Sequence, residues 1–241
     1  MPSRTPVRLA ASVLARFLTT ATVGDVVDHG TTFRTITLTT PDRGGWTPGD
    51  KVRIAVRDLS LRTYTPLRVE RGALTILAHL AGTGPGSAWC AQAESGQECR
   101  ILGPQKSVDL PKHTPAPLVV GDETSLGLYL AQSATAAAGT DAEPPTGIFE
   151  VDDPDAAAVA LAHHDGPRPA TFVTRQPGDG HLDGLATTVT ELLVARPDVR
   201  LLLTGRAQTI ALLRRRLKDA GLAHRTAAVK AYWDVNRRGL D

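Results

Sequence analysis

The sequence predicts a β-barrel followed by a parallel α/β domain, and three observations carry that prediction. Short alternating strands with turn signals fill the front of the chain. Apolar strands and helices alternate behind, and a proline-rich stretch separates the two rhythms.

In the front half, Phe33–Thr40 is rich in β-branched residues, and Lys51–Val56 sets Val52, Ile54 and Val56 on one face. Leu74–Leu80 repeats the pattern with Leu74, Ile76, Ala78 and Leu80. Turn-forming stretches at 41–45, 47–50 and 70–72 lie between these runs, which points to an antiparallel sheet or barrel. From Leu118 the rhythm changes. Apolar runs at 118–120, 147–151, 170–174 and 199–204 alternate with helical segments at 125–138, 154–163, 183–196 and 206–220. Pro154 stands in the first turn of the second helix behind Asp152 and Asp153, and Gly221 ends the last. Such alternation predicts a parallel sheet with helices on its faces. The stretch Leu110–Pro117 (LPKHTPAP) is the expected linker, giving domains at residues 1–112 and 118–241.

Composition excludes several classes. The 241 residues are 41% hydrophobic and 22% charged, as in ordinary globular chains of one large or two modest domains. A net charge of +2 without a dense basic block makes nucleic acid an unexpected partner, and Arg214–Arg216 reads as a solvated helix face. Cys90 and Cys99 are too few for a four-thiolate iron–sulfur cluster or a structural zinc site. Reduced thiols in a cytoplasmic protein fit better than a lone disulfide. The apolar stretch 9–18 is short and interrupted by Arg16, so no membrane insertion is expected.

Two segments carry chemistry. In Arg62-Thr63-Tyr64-Thr65, strand alternation puts Arg62 and Tyr64 on one face and Thr63 and Thr65 on the other. A guanidinium beside an aromatic ring suits a phosphorylated aromatic ligand, gripped at the phosphate and stacked on the ring. The same four residues also read as an ordinary strand with a paired Arg and a half-buried Tyr. The second segment, His79 to Trp89, follows a strand and opens a short helix. Gly82, Gly84 and Gly86, with Thr83 and Ser87, let backbone N–H groups approach an anion such as a pyrophosphate. A plain loop is the alternative for a glycine-rich turn alone.

Taken in order, these segments resemble the siderophore-interacting proteins, FAD-containing ferric-siderophore reductases related to ferredoxin reductases. The resemblance rests on Arg62, Tyr64 and Thr65, on His79 through Trp89, on Leu102-Gly103-Pro104, on Gly121 through Leu126, and on Trp46 through Val52. It implies that Arg62 binds the FAD phosphates, Tyr64 lies against the isoalloxazine and Thr65 hydrogen-bonds near its reactive edge, with Thr63 beside them. It implies that Gly82, Thr83, Gly84, Gly86 and Ser87 cradle the pyrophosphate and that His79 helps on the nucleotide side. Asp122, Glu123 and Thr124 would border the cleft between the domains, a role compatible with helix capping.

The back half departs from the family pattern. Thr204-Gly205-Arg206-Ala207-Gln208 replaces Ala-Gly-Glu, and Leu126-Gly127 replaces Leu-Pro. Gly205 still leaves a dinucleotide room to approach the strand end. Arg206 is either an exposed helix residue or a cation within reach of the 2′-phosphate of NADPH. Tyr232 and Trp233 either face the flavin or belong to a C-terminal strand packed on the core. The implied function is electron transfer from NADPH or NADH through FAD to a ferric siderophore or similar chelate, releasing Fe(II). The alternative is a flavoenzyme recruited to a biosynthetic pathway, acting on a pathway intermediate and using FAD non-redox or structurally beside a degenerate nicotinamide site.

Overall fold

The computed structural model describes residues 17–41, 44–56, 60–82, 84–108, 116–137, 143–164 and 169–235. Its front part holds strands β1 (Thr19–His29), β2 (Phe33–Thr39), β3 (Lys51–Ala55), β4 (Leu61–Tyr64), β5 (Pro66–Glu70), β6 (Ala73–His79) and β7 (Glu98–Gln105). Helix α1 (Pro85–Gln92) lies between the last two. The strands form one antiparallel sheet of seven in the order β4-β3-β7-β1-β2-β6-β5. Its two outermost strands, β4 and β5, are joined by Thr65 alone. In a flat sheet those edges would stand roughly 29 Å apart, at about 4.8 Å per strand spacing. One residue spans less than about 4 Å, so the sheet rolls up as a barrel.

Alternation decides what fills that barrel. Ile36, Leu38, Val52, Ile54, Leu74, Ile76, Ala78 and Ile101 point inward, and Cys90 of α1 joins them. Each fully buried Leu, Ile or Val contributes about 1.5–3 kcal/mol. Leu80, expected in the same register, lies beyond the end of β6 and is only partly buried against this core. Cys90 and Cys99 are both free thiols.

The back part alternates as expected: β8 (Leu118–Asp122), α2 (Leu126–Ala137), β9 (Thr146–Val151), α3 (Pro154–Ala162), β10 (Ala170–Thr174), α4 (Leu182–Ala195), β11 (Leu201–Arg206), α5 (Ala207–Asp219) and β12 (Thr226–Trp233). The five strands are parallel, in the order β10-β9-β8-β11-β12. The chain moves outward from β8 in one direction and then restarts at β11 in the other. Ligands in such sheets bind at the carboxyl ends of the strands where the order reverses, here between β8 and β11.

A shared apolar cluster joins the two sheets. Phe33 of β2 and Leu67 of β5 pack with Leu126, Tyr129 and Leu130 of α2 and with Phe149 of β9. Helix α2 therefore lies against the barrel and carries the β8 end with it. The helix expected from Ser125 starts at Leu126, because Glu123–Ser125 forms a separate 3-10 turn capped by Asp122. Most of the expected linker, residues 110–115, lies outside the described residues. Among the described residues, no helix is long and apolar enough to cross a membrane.

Candidate functional site

The Arg62–Tyr64 motif and the glycine-rich turn meet. Tyr64 pairs with Val52 and Arg62 with Ile54 across β3 and β4, which turns both side chains toward the interior of the barrel. Helix α1 covers them there. A Cβ placed on Gly86 would stand 2.9 Å from the Tyr64 hydroxyl and 3.1 Å from Cγ of Arg62. Only glycine lets the first turn of α1 come this close.

The start of α1 has no side-chain cap. Gly84 caps the helix with an extended backbone and offers no side-chain hydrogen bond, and Pro85 has no N–H to lose. The N–H groups of the following residues carry the helix's positive end. Ser87 is turned away from this opening, its hydroxyl donating to the Leu80 carbonyl at 2.5 Å. Arg62 donates through Nη1 to Ser60 Oγ at 2.6 Å and to the Leu61 carbonyl at 2.8 Å. Under Tyr64, burial pushes the Cys90 thiol up to about 11, so it stays protonated and donates to the Tyr64 hydroxyl at 3.2 Å. Burial also drives the Tyr64 phenol well above its ordinary value. Thr83 lies outside the described residues. Gly82 stands close over Ser87, with a Cβ contact of 3.5 Å.

A second group of residues gathers where Thr65 crosses the carboxyl ends of the parallel strands. Gly127 of α2 approaches the Thr65 carbonyl so closely that a Cβ would stand 3.0 Å from it. Tyr232 of β12 brings its hydroxyl against Thr65 and Thr204, without a well-aligned hydrogen bond to either. Burial pushes that phenol up to about 12. The Thr204 hydroxyl is buried and unpartnered as well. These two hydroxyls face the same place as Thr65, and nothing in the spacing of the sequence singled out Thr204.

At the switch point itself, Asp122 is fully buried. Its Oδ1 accepts from the Thr124 amide at 2.8 Å and the Thr124 hydroxyl at 2.5 Å, and its Oδ2 from Trp233 Nε1 at 2.7 Å. Burial raises its pKa to about 6 against these three donors. Gly205, at φ +98°, is packed on the same carboxylate, where a Cβ would clash at 2.5 Å. Asp122, Thr124, Gly205 and Trp233 thus form one unit, and Tyr232 lies beside it.

A network of charges lies beside this unit at the carboxyl ends of the parallel strands. Arg175 Nη2 donates to Glu123 Oε2 at 2.8 Å, and its Nη1 donates to Asp152 Oδ1 at 2.6 Å. Glu150, wholly buried, accepts from His181 Nε2 at 2.6 Å and from the Thr209 hydroxyl at 2.5 Å. Arg206 is no exposed helix residue: it is 8% exposed, forks onto Asp179 at 2.6 and 2.9 Å, and lies 6.0 Å from the Trp233 ring. Strand β11 runs on through Arg206, so its side chain ends in the sheet's crevice before α5 begins. His79 contributes its carbonyl near Ser87, but its ring packs on Phe33 at 5.1 Å. Burial depresses the His79 pKa, against the opposing pull of Glu123 and Asp152. The ring therefore belongs to the surface between the two parts of the molecule.

This combination, a barrel with a glycine cradle over an Arg–Tyr pair and a parallel sheet behind it, defines the ferredoxin-reductase-like fold. Residues 25–108 match the family model of the siderophore-interacting FAD-binding domain. The chain is also similar to a siderophore utilization protein from T. fusca, at 22% identity, TM-score 0.66, and 93% and 95% of the two chains covered. It resembles the siderophore-interacting protein from Aeromonas hydrophila at 19% identity and TM-score 0.66, covering 92% and 93%. A mutant ferredoxin-NADP+ reductase from Plasmodium falciparum matches at 12% identity and TM-score 0.72, covering 90% and 97%. At these identities the solved structures show the fold. No curated protein matches. The family match supports an FAD-binding domain within residues 25–108, and the solved structures show the ferredoxin-reductase-like fold.

The residues fit that cofactor. The helix start has no side-chain cap of its own, and Arg62 and Tyr64 pack against it at Gly86.

Proposed function

We propose that this chain is an FAD-dependent oxidoreductase that passes electrons from NADPH or NADH through FAD to a ferric siderophore or similar chelate. The observation that carries the reading is the convergence of Arg62, Tyr64 and Gly86 beneath the uncapped start of α1, inside the segment that matches the FAD-binding family. Arg62 and the N–H groups at the start of α1, next to Gly82 and Gly84, hold the phosphates. Tyr64 orients the ring system, and Thr65 and Tyr232 stand at its reactive edge. Bound FAD supplies the conversion of one two-electron hydride into two one-electron steps, so one nicotinamide accounts for two Fe(III). No side chain needs to act as an acid or base on iron, since Fe(II) binds hard oxygen ligands less tightly and leaves. The proposed division follows the two sheets, 1–112 for flavin and 118–241 for the nicotinamide, with the protein in the cytoplasm.

One observation favours a second reading. The turn after β8, where a dinucleotide pyrophosphate would meet backbone N–H groups, is capped by the chain's own Asp122, with Glu123 beside it. Arg175 and Arg206, the nearby cations, are engaged by Glu123, Asp152 and Asp179. That arrangement suits a flavoenzyme of a biosynthetic pathway whose nicotinamide site has degenerated and whose FAD is structural or non-redox. Anaerobic mixing separates the two. Bleaching of the flavin by NADPH or NADH, with colour restored by a ferric chelate, supports the first reading. A flavin that stays oxidised with both nicotinamides overturns it in favour of the second. The double substitution Arg62→Ala, Tyr64→Ala should leave folded protein with greatly weakened FAD binding, and unchanged occupancy would refute the site.

A further inference from the structure

Helix α1 is held from its far end. Arg34 of β2 donates from Nη1 to the carbonyls of Cys90 and Ala91, at 3.1 and 2.7 Å, in the last turn of the helix. The same guanidinium is locked by Asp28, its cross-strand partner in β1, with Nε to Oδ1 at 2.6 Å and Nη2 to Oδ2 at 3.1 Å. Two carboxylate oxygens and two carbonyls thus take up one planar fork. The last carbonyls of a helix are orphans carrying its negative end, and a cation there satisfies both needs. Helix α1 has eight residues, no acidic residue in its first turn and no basic residue of its own in its last. An isolated helix this short is marginal. Its placement over Arg62 and Tyr64 therefore depends on what grips it from the barrel.

We propose that Arg34, fixed by Asp28, is a positioning residue for the phosphates of FAD: it holds the carbonyl end of α1 and thereby sets its N–H end over Arg62 and Tyr64. The assignment rests on the FAD reading given above. Arg34 lies at the opposite end of α1 from the cradle and touches no proposed ligand-binding group. Its effect reaches the phosphates only through the helix, which is about 12 Å long. The tight contact at Gly86 transmits it, because a tilt of α1 changes the spacing of the cradle from the Arg62–Tyr64 pair at once. The other link, from Cys90 to Tyr64, ties the middle of the helix to the same ring.

The test compares flavins with and without phosphates. Apoprotein is titrated with FAD and with riboflavin, following flavin fluorescence, in wild type, Arg34→Gln, Arg34→Lys and Asp28→Asn. Circular dichroism and thermal melting check that each variant folds. Arg34→Gln should weaken FAD binding about tenfold, the scale of a lost charge-assisted hydrogen bond, and weaken riboflavin binding far less. Arg34→Lys keeps the charge at the helix end and should recover part of the loss. Asp28→Asn, which frees the fork, should give an intermediate loss. Equal losses for FAD and riboflavin would make Arg34 a general brace and overturn the proposal, as would FAD binding unchanged in both Arg34 variants. A wild-type chain that binds no FAD would instead overturn the flavin reading itself.

Discussion

Replacing Gly86 by alanine adds one methyl group at the point where the whole flavin site is closest packed. The new Cβ would stand 2.9 Å from the Tyr64 hydroxyl, 3.1 Å from Cγ of Arg62 and 3.4 Å from its Cβ. The first approach is too short to persist and the second is tight, so either α1 lifts or Tyr64 and Arg62 withdraw. Overpacking of this kind costs about 1–3 kcal/mol. Alanine in a helix gains about 0.5–1 kcal/mol over glycine, so the net loss of stability is about 0–2.5 kcal/mol. FAD affinity should fall as well, since the displaced atoms are the proposed ligands; a loss of about tenfold is expected. Gly184→Ala, exposed in the first turn of α4 and away from the site, is the control. A Cβ there meets nothing within 4 Å, so FAD binding should be unchanged while the melt gains about 0.5–1 kcal/mol from helix propensity. Fluorescence titration with FAD and a thermal melt of each apoprotein read both quantities. If Gly86→Ala binds FAD as wild type does, the cradle is not where the phosphates sit.

Three further outcomes are expected. Asp122 has a folded pKa of about 6, above its ordinary 3.8, so the native state binds its proton more tightly and stability falls as pH rises from about 4 to about 6. Asp122→Asn should remove that downward slope in a melting series; an identical slope in the variant would show that another group causes it. Tyr232→Phe deletes a buried hydroxyl without a good partner, so apoprotein stability should be unchanged or slightly higher. A shifted flavin spectrum in the loaded variant would identify that hydroxyl as a flavin contact, and an unshifted one would remove Tyr232 from the reactive edge. Glu123→Gln loosens Arg175, which keeps Asp152, and should raise the affinity for NADPH several-fold by calorimetry. No change would show that the Glu123–Arg175 pair does not obstruct the crevice.

The legibility of the chain follows the range of each interaction. Strand β6 was readable because Leu74, Ile76 and Ala78 alternate strictly, and all three are buried. The parallel half was readable because β9, α3 and β10 follow one another with clear caps, Asp153 accepting from the Ala156 amide as its position suggests. Strand β1 was not, since Gly24 and Asp25 interrupt its pattern at the bulge between Val23 and Val26. Arg206 looked like a helix residue because only pairing with β12 shows that β11 extends through it. The motif residues Arg62, Tyr64 and Gly86 were each visible, but their contact depends on α1 folding back over the barrel. Arg175 with Glu123, 52 residues apart, and Arg34 with Cys90, 56 apart, left no local signal at all.

The central claim is that the chain holds FAD with Arg62, Tyr64 and the start of α1 and uses it to move electrons. Purified protein reconstituted with FAD and mixed anaerobically with NADPH, then with a ferric siderophore, tests it most directly. Flavin absorbance that appears on reconstitution, bleaches with NADPH and returns as two Fe(II) form per nicotinamide is the predicted result. Protein that stays colourless after exposure to FAD would contradict it.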